Sequence, residues 1–212
     1  MYPDYTPHER FLDSCVHVVG LSLAITAVIA LHATATPWLP FSAGVCLVIY
    51  SITLITMLGC SAAYHMVPWR AWRDRMRRFD QAAIFLKIAG TYTPFAAVKM
   101  TGYTGTGLLL IVWVVAIAGA TAKMTLGKRW DHISLWLYLA LGWAGILFIQ
   151  SLVSSIPLSA SVLLGVGGIA YTVGTIFYTW EDLPYQNAIW HMFVLIGTAS
   201  HFAAVAVAML AT

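Results

Sequence analysis

Four long stretches of the sequence contain no aspartate, glutamate, lysine or arginine: residues 14–69, 101–122, 132–180 and 183–212. A helix needs roughly 20 apolar residues to cross a bilayer, because the hydrocarbon core is about 30 Å thick and each residue rises about 1.5 Å. The first and third stretches have room for two spans each, and the others for one each. Residues 81–98, interrupted only by Lys87, provide one more. The sequence therefore predicts an integral membrane protein with seven helical spans.

Short turns with proline, glycine and serine separate the predicted spans. TATPWLP (34–40) divides the first stretch, TGYTGTG (101–107) separates the third span from the fourth, and SSIPLSA (154–160) divides the third stretch. No linker, repeat or low-complexity segment indicates a second domain. We therefore predict a single all-α domain over residues 1–212. Its spans are expected at about 14–34, 40–64, 80–99, 105–123, 132–153, 158–179 and 187–210.

The lysines and arginines predict how the bundle is oriented. Nine of the eleven lie before the first span, between the second and third, or between the fourth and fifth, which places them on one side. Positive residues concentrate in cytoplasmic loops, so the N-terminus is predicted to be cytoplasmic and the C-terminus outside. We expect the basic loops to contact anionic lipid head groups, and we predict no nucleic-acid partner.

Polar side chains from three predicted spans should meet at the cytoplasmic end of the bundle. Ser61 and His65 end the second span, Asp80 opens the third, and Asn187 and His191 open the seventh. A spacing of four residues places Ser61 with His65, and Asn187 with His191, on one helix face. Ionisable groups are costly inside a bilayer, so such a cluster is a candidate functional site.

This polar cluster has two interpretations. Two imidazoles, an oxygen ligand and a water would make a tetrahedral zinc site with an open position, able to support attack on an amide or ester. Asp80 would then accept a proton from the water, and Ser61 would donate to the developing oxyanion. Alternatively, the same side chains only connect the helix ends by hydrogen bonds. Spacing and depth alone favour the structural interpretation.

Several motifs resemble the bacterial hemolysin III proteins, which belong to the progestin and adipoQ receptor family. They are SAAYH (61–65), RRFDQAAIFLKIAGTYTPF (77–95) and IWHMFVLIGTASHF (189–202). ERFLDSCVHVVG (9–20) is similar to the Glu…His…Gly opening of that family, through Glu9, His17 and Gly20. The resemblance covers nearly the whole chain, with the predicted spans in order.

The resemblance implies a seven-helix bundle in the bacterial inner membrane with a zinc ion near the cytoplasmic surface. In the family pattern the zinc is held by the histidine of S-x3-H, here His65, and by the two histidines of an H-x3-H on span seven. Ser61 and Asp80 would lie beside the ion, the aspartate acting through water. In this chain Asn187 replaces the first histidine of that pair, so His191 remains with a weaker amide ligand.

Two further side chains are predicted to support this site. His17 lies in the cytoplasmic half of span one and matches the family opening. Lys87 lies seven residues after Asp80 on the same helical stripe, where we expect an interior ion pair or extension to the surface. His201 lies about 15 Å beyond His191 along the helix and is predicted to be outside the site.

The leading functional hypothesis is a zinc-dependent membrane hydrolase of a lipid amide or ester, as the grouping of this family with alkaline ceramidases implies. The second hypothesis is a non-catalytic sensor or regulator of the bilayer, in which the cluster is structural. Two other classes of seven-helix protein are disfavoured. Span seven has no lysine for the Schiff base of a retinal protein. The predicted cytoplasmic N-terminus is opposite to that of G-protein-coupled receptors. No span has a polar stripe suited to a water-filled pore.

Overall fold

The protein is all-helical in a computed structural model that describes residues 6–66, 70–100 and 102–211. In this part of the chain the α-helices are α1 (Pro7–Ala35), α2 (Phe41–Met66), α3 (Arg73–Pro94), α4 (Gly102–Leu126), α5 (Asp131–Gly142), α6 (Ile149–Ser155), α7 (Leu158–Thr179) and α8 (Gln186–Leu210). Short 3-10 turns occupy Thr36–Trp38, Arg70–Trp72, Gly127–Trp130 and Ala144–Phe148, and a π-helical turn occupies Phe95–Lys99. The predicted all-α class is confirmed.

Five helical stretches of the described chain are long and apolar enough to cross a membrane: Pro7–Trp38, Phe41–Met66, Gly102–Ser155, Leu158–Thr179 and Gln186–Leu210. Helix α3 is not among them, because its first turns carry several arginines and aspartates and its middle contains Lys87. The protein is therefore a membrane protein with several spans. The number seven, the extent of the single domain and the orientation of the termini stay predictions.

The segment predicted as one continuous fifth span is interrupted. Helix α5 ends at Gly142, and a 3-10 turn leads into α6. The hydroxyl of Tyr92 on α3 donates to the carbonyl of Gly142 at 2.7 Å and accepts from the amide of Gly145 at 2.8 Å. An interruption at membrane depth is tolerated when the freed backbone groups find partners inside the protein. Tyr92 supplies them here.

The start of α1 is fixed to the start of α8. Thr6 and Glu9 form a capping box: the Thr6 hydroxyl accepts from the Glu9 amide at 3.3 Å, and Glu9 Oε2 accepts from the Thr6 amide at 2.8 Å. Glu9 Oε1 accepts from the amide of Tyr185 at 2.9 Å, immediately before α8. The helix therefore begins seven residues before the predicted span start at residue 14, and its first turns lie beside those of α8.

Close packing brings the helices that carry the polar cluster together. Helix α1 packs against α2 and α8, and α3 packs against α2 and α4. A Cβ atom on Gly20 would overlap the side chain of Leu195, and one on Gly90 would overlap Thr53. Small residues allow such close approach of membrane helices. The beginnings of α1, α3 and α8 and the end of α2 can thus contribute to one site.

Charged side chains connect α3, α4 and α5 at the same end of the bundle. Lys123 is fully buried and forms ion-pair and hydrogen-bond contacts with Asp131 and Ser134. Arg77 donates to Asp131 at 2.8 Å. Because a buried ammonium is costly unless it is paired, these contacts stabilise the arrangement of the three helices around the entrance of the cavity described below.

Candidate metal centre

Asp13, His17, His65 and His191 form a compact group at the end of the bundle that is predicted to be cytoplasmic. Asp13 and His17 lie one turn apart on α1, His65 lies in the last turn of α2, and His191 lies in the second turn of α8. One ligand atom from each residue lies within 4.8 Å of all the others. Asp13, His17 and His191 are buried, and His65 is partly buried. Three helices thus meet at one potential ion site.

The carboxylate of Asp13 contacts all three imidazoles. Its Oδ1 lies 2.6 Å from His191 Nδ1, and its Oδ2 lies 3.4 Å from His65 Nδ1 and 3.7 Å from His17 Nε2. The three rings pack on one another with centroid distances of 4.4 to 5.2 Å. The nitrogens that face Asp13 therefore converge on a small volume.

This group fits a zinc ion. Tetrahedral zinc binds nitrogen and oxygen at about 2.0–2.2 Å, which places its ligand atoms about 3.4 Å apart. The contacts of Asp13 with His65 and His17, at 3.4 and 3.7 Å, are close to this separation, whereas the contact with His191 is a hydrogen bond of 2.6 Å. His17 Nε2 is buried and has no hydrogen-bond partner, whereas buried polar atoms are normally satisfied. Imidazole nitrogens with one carboxylate oxygen are a donor set that zinc accepts.

Asp80 and Ser61 lie beside this group. Ser61 lies one turn before His65 on α2, and Asp80 lies on α3. Both line the cavity beside the metal group, and Asp80 interacts electrostatically with His65 and His191. Their roles as oxyanion donor and proton acceptor stay predictions.

The remaining sequence-predicted residues have different positions. Asn187 lies one turn before His191, is partly buried and lines the cavity, and its role as a metal ligand stays a prediction. The additional imidazole in the group comes from His17 on α1. Lys87 is buried and donates to the Tyr171 hydroxyl at 2.7 Å, and it forms no ion pair with the described residues. His201 Nε2 contacts the carbonyl of Leu164, away from the metal group.

Asp13 is the member of the group that the sequence prediction missed. The first span was predicted from the charge-free stretch that starts at residue 14, which left Asp13 outside the membrane segment. A signal was nevertheless present, because Asp13 and His17 have the four-residue spacing of Ser61 and His65. Read together with the capping box at Thr6, this spacing places both side chains on one face of α1.

A cavity of about 930 Å³ opens beside the metal group and continues into the bundle. Its lining includes Asp13, Asp80 and His191 at the metal group, and also the apolar side chains of Phe95 and Leu152. A volume of this size accommodates a ligand of several hundred daltons. The lining combines polar and apolar side chains, which suits an amphipathic molecule.

Several apolar helices and a buried histidine–aspartate group at one end of them define a multi-pass membrane protein with a candidate metal centre. The chain belongs to the haemolysin-III related family, whose model matches residues 5–202. The predicted resemblance is therefore confirmed, and so is the assignment to the bacterial plasma membrane as a multi-pass protein.

Relatives are found in bacteria and in animals. The chain is 35% identical to the Hemolysin-3 homolog of Bacillus subtilis (strain 168), over 93% of each chain. It is 36% identical to Hemolysin-3 of Bacillus cereus, over 92% of this chain and 89% of the relative. Human Monocyte to macrophage differentiation factor is 25% identical, over 74% of this chain and 67% of the relative. No solved structure matches the chain significantly.

Proposed function

We propose that the protein is a zinc-dependent membrane hydrolase that acts on a lipid amide or ester. The observation that carries this proposal is the group of three histidines and Asp13 beside Ser61 and Asp80, in a cavity whose lining is partly apolar. Metal ligands, a proton acceptor and a space for a hydrocarbon chain are the components that such a reaction requires.

Each residue has a specific role in this proposal. His17, His65 and His191 hold the ion, which when bound supplies a polarised water as the nucleophile. Asp80 accepts a proton, and the Ser61 hydroxyl donates a hydrogen bond to the developing oxyanion. Asp13 accepts a hydrogen bond from His191 and fixes the orientation of that ring. The cavity walls hold the acyl chain and limit access of bulk water.

Whether Asp13 binds the ion directly determines whether the proposed zinc site is catalytic or structural. Catalytic zinc sites usually have three protein ligands and an open position, whereas four protein ligands close the site. Three imidazoles with Asp13 as a hydrogen-bond acceptor leave the open position that hydrolysis needs. Direct binding by Asp13 would complete the coordination and make the ion structural.

The second candidate function is a non-catalytic sensor or regulator in the membrane. One observation favours it: the contacts of Asp13 with His191 and His65 connect α1, α8 and α2 directly. Such contacts stabilise the arrangement of the helices without any reaction. In this case the cavity would hold a lipid as a ligand and not as a substrate.

The experiment combines metal analysis with lipid hydrolysis by the purified protein. After removal of metal and reloading, we expect about one zinc per chain and release of fatty acid from a panel of lipid amides and esters. Asp80→Asn should keep the zinc and lose activity by about 100-fold or more. Asp182→Asn, in the exposed turn before α8, is the matched control with unchanged activity.

The outcomes separate the two candidates. Zinc below about a tenth of an equivalent after reloading would remove the Lewis acid on which hydrolysis depends. Stoichiometric zinc without hydrolysis of any lipid in the panel would support the regulator instead.

A further inference from the structure

A second polar group lies in the same cavity, formed by Lys87, Tyr171, Thr198 and His201. Lys87 Nζ donates to the Tyr171 hydroxyl at 2.7 Å, and that hydroxyl lies 2.7 Å from the Thr198 hydroxyl. The ammonium lies 4.5 Å from the centroid of the Tyr171 ring, and the His201 ring packs against Tyr171. Lys87, Tyr171 and His201 all line the cavity. We name these four residues the Lys87 group.

The Lys87 group is separate from the metal group. Lys87 follows Asp80 by seven residues on α3, and Thr198 follows His191 by seven residues on α8, so each lies about 10 Å further along its helix. The two groups therefore occupy different depths of one cavity, and the role proposed for the metal group leaves Lys87 unexplained.

The buried ammonium of Lys87 lacks a negatively charged partner in the part of the chain that the structure describes. Its residue is 4% exposed, and its hydrogen-bond partner is the neutral phenol of Tyr171. Burial of a charge without an opposite charge is strongly unfavourable. A lysine ammonium carries three N–H donors, of which the Tyr171 hydroxyl accepts one. The remaining donors are suited to an anion that enters the cavity.

His201 provides an independent sign of an unfilled polar space. Its Nε2 lies 3.2 Å from the carbonyl of Leu164, and because a carbonyl only accepts, Nε2 must donate. The Nδ1 of the neutral ring is then an acceptor, and this atom is buried with no partner. Buried polar atoms are normally satisfied by protein, water or ligand. A water carried in with an anionic head group would satisfy it.

We propose that Lys87 binds the anionic head of a single-chain amphipath, a carboxylate or a phosphate monoester, whose hydrocarbon chain lies in the apolar part of the cavity. Lysine acts as a point charge and accepts either anion. Phe95, Leu152 and Leu164 line the cavity and offer an apolar surface to the chain. This proposal does not depend on hydrolysis at the metal group.

Binding of three ligands with the same chain tests the proposal: hexadecanoate, hexadecyl phosphate and hexadecanol. The full-length protein is compared with Lys87→Met and Lys99→Met in discs of neutral lipid. Lys99 ends the π-helical turn after α3, where it donates to the carbonyl of Ala211, and is the matched control. Lys87→Met should weaken binding of at least one anion by about tenfold or more and change hexadecanol binding less than twofold. The anion that binds more tightly to the unmodified protein identifies the head group.

Two results would overturn the proposal. One is equal loss of alcohol and anion binding in Lys87→Met, which would mean that the substitution changes the shape of the cavity. The other is a ligand-free Lys87→Met protein that unfolds at a lower temperature than the unmodified one, or does not fold. Methionine has a similar length without a charge to bury, so a ligand-binding lysine predicts equal or higher stability, and a structural lysine predicts a loss.

Discussion

The carboxylate of Asp13 contacts all three histidines of the candidate metal group. Its two oxygens lie 2.6 to 3.7 Å from nitrogens of His191, His65 and His17. Carboxylates that contact metal-binding histidines fix the orientation of the rings and raise their basicity. Asp13 is therefore the residue at which metal binding should be most sensitive to the loss of a single charge.

We predict that Asp13→Asn weakens zinc binding by about 10- to 100-fold, because asparagine keeps the size of the side chain and removes its charge. Zinc titration of the metal-free protein measures the change, with Asp182→Asn as a surface control. Unchanged affinity in Asp13→Asn would show that the ion does not bind beside Asp13.

At the residue scale, the sequence predicts that polar side chains on different helices lie at a common depth. It does not predict every residue of the candidate metal group. His65, His191 and Asp80 follow from helix ends and charge-free stretches. Asp13 does not, because the helix extends beyond the apolar stretch through the cap at Thr6 and Glu9, and this cap depends on hydrogen bonds that composition does not reveal.

At the scale of helices, α1 contributes the imidazole that the family pattern places on α8. His17 on α1 joins His191 and His65, whereas Asn187 stands one turn before His191. Both positions lie near the same end of the bundle, because Glu9 connects the starts of α1 and α8. The third imidazole of the site should therefore be able to come from either helix, from position 17 on α1 or from position 187 on α8.

We predict that His17→Ala removes most of the bound zinc and that a second substitution, Asn187→His, restores it. The double variant has the H-x3-H spacing on α8 and regains a third imidazole, which zinc prefers to an amide. Metal content and affinity are measured for both variants. Recovery of at least about tenfold in affinity is expected.

His32→Ala is the matched control for this exchange. His32 also lies on α1, but its Nε2 contacts the Ser51 hydroxyl at 3.0 Å, away from the metal group. It should keep its zinc. A double variant that folds but stays metal-free would mean that position 187 does not face His65 and His191.

The interruption between α5 and α6 depends on one hydroxyl from a different helix. We predict that Tyr92→Phe lowers the free energy of unfolding by about 1–3 kcal/mol, because it leaves the Gly142 carbonyl and the Gly145 amide without this partner. Unfolding in detergent measures the loss, and Tyr103→Phe, at an almost fully exposed position, is the control. Equal stability of Tyr92→Phe would show that water or another group replaces the hydroxyl.

This interruption was not predictable from the local sequence. Membrane helices often contain glycine without a break, so Gly142 and Gly145 alone do not indicate one. The deciding contact comes from Tyr92, 50 residues earlier in the chain. A partner so distant in sequence has no signature in composition or periodicity.

At the scale of the whole molecule, the charge asymmetry should set the orientation in the membrane. We predict that a reporter fused after residue 212 is active only outside the cytoplasm, and that one inserted within residues 73–78 is active only inside it. With the N-terminus in the cytoplasm, a cytoplasmic C-terminus would show that the chain crosses the membrane an even number of times. The predicted depth of the metal group would then have to be revised.

The contact between Asp13 and His191 also has a consequence for the order of events during biosynthesis. These residues are 178 positions apart, so the first part of the group emerges from the ribosome long before its last ligand. Insertion of α1 and α2 brings Asp13, His17 and His65 into the membrane, but the ion site is completed only when α8 docks against α1. For the proposed metal site, ion capture would therefore be a late step of biogenesis, and the metal content of a preparation would report the fraction of chains in which α8 has docked.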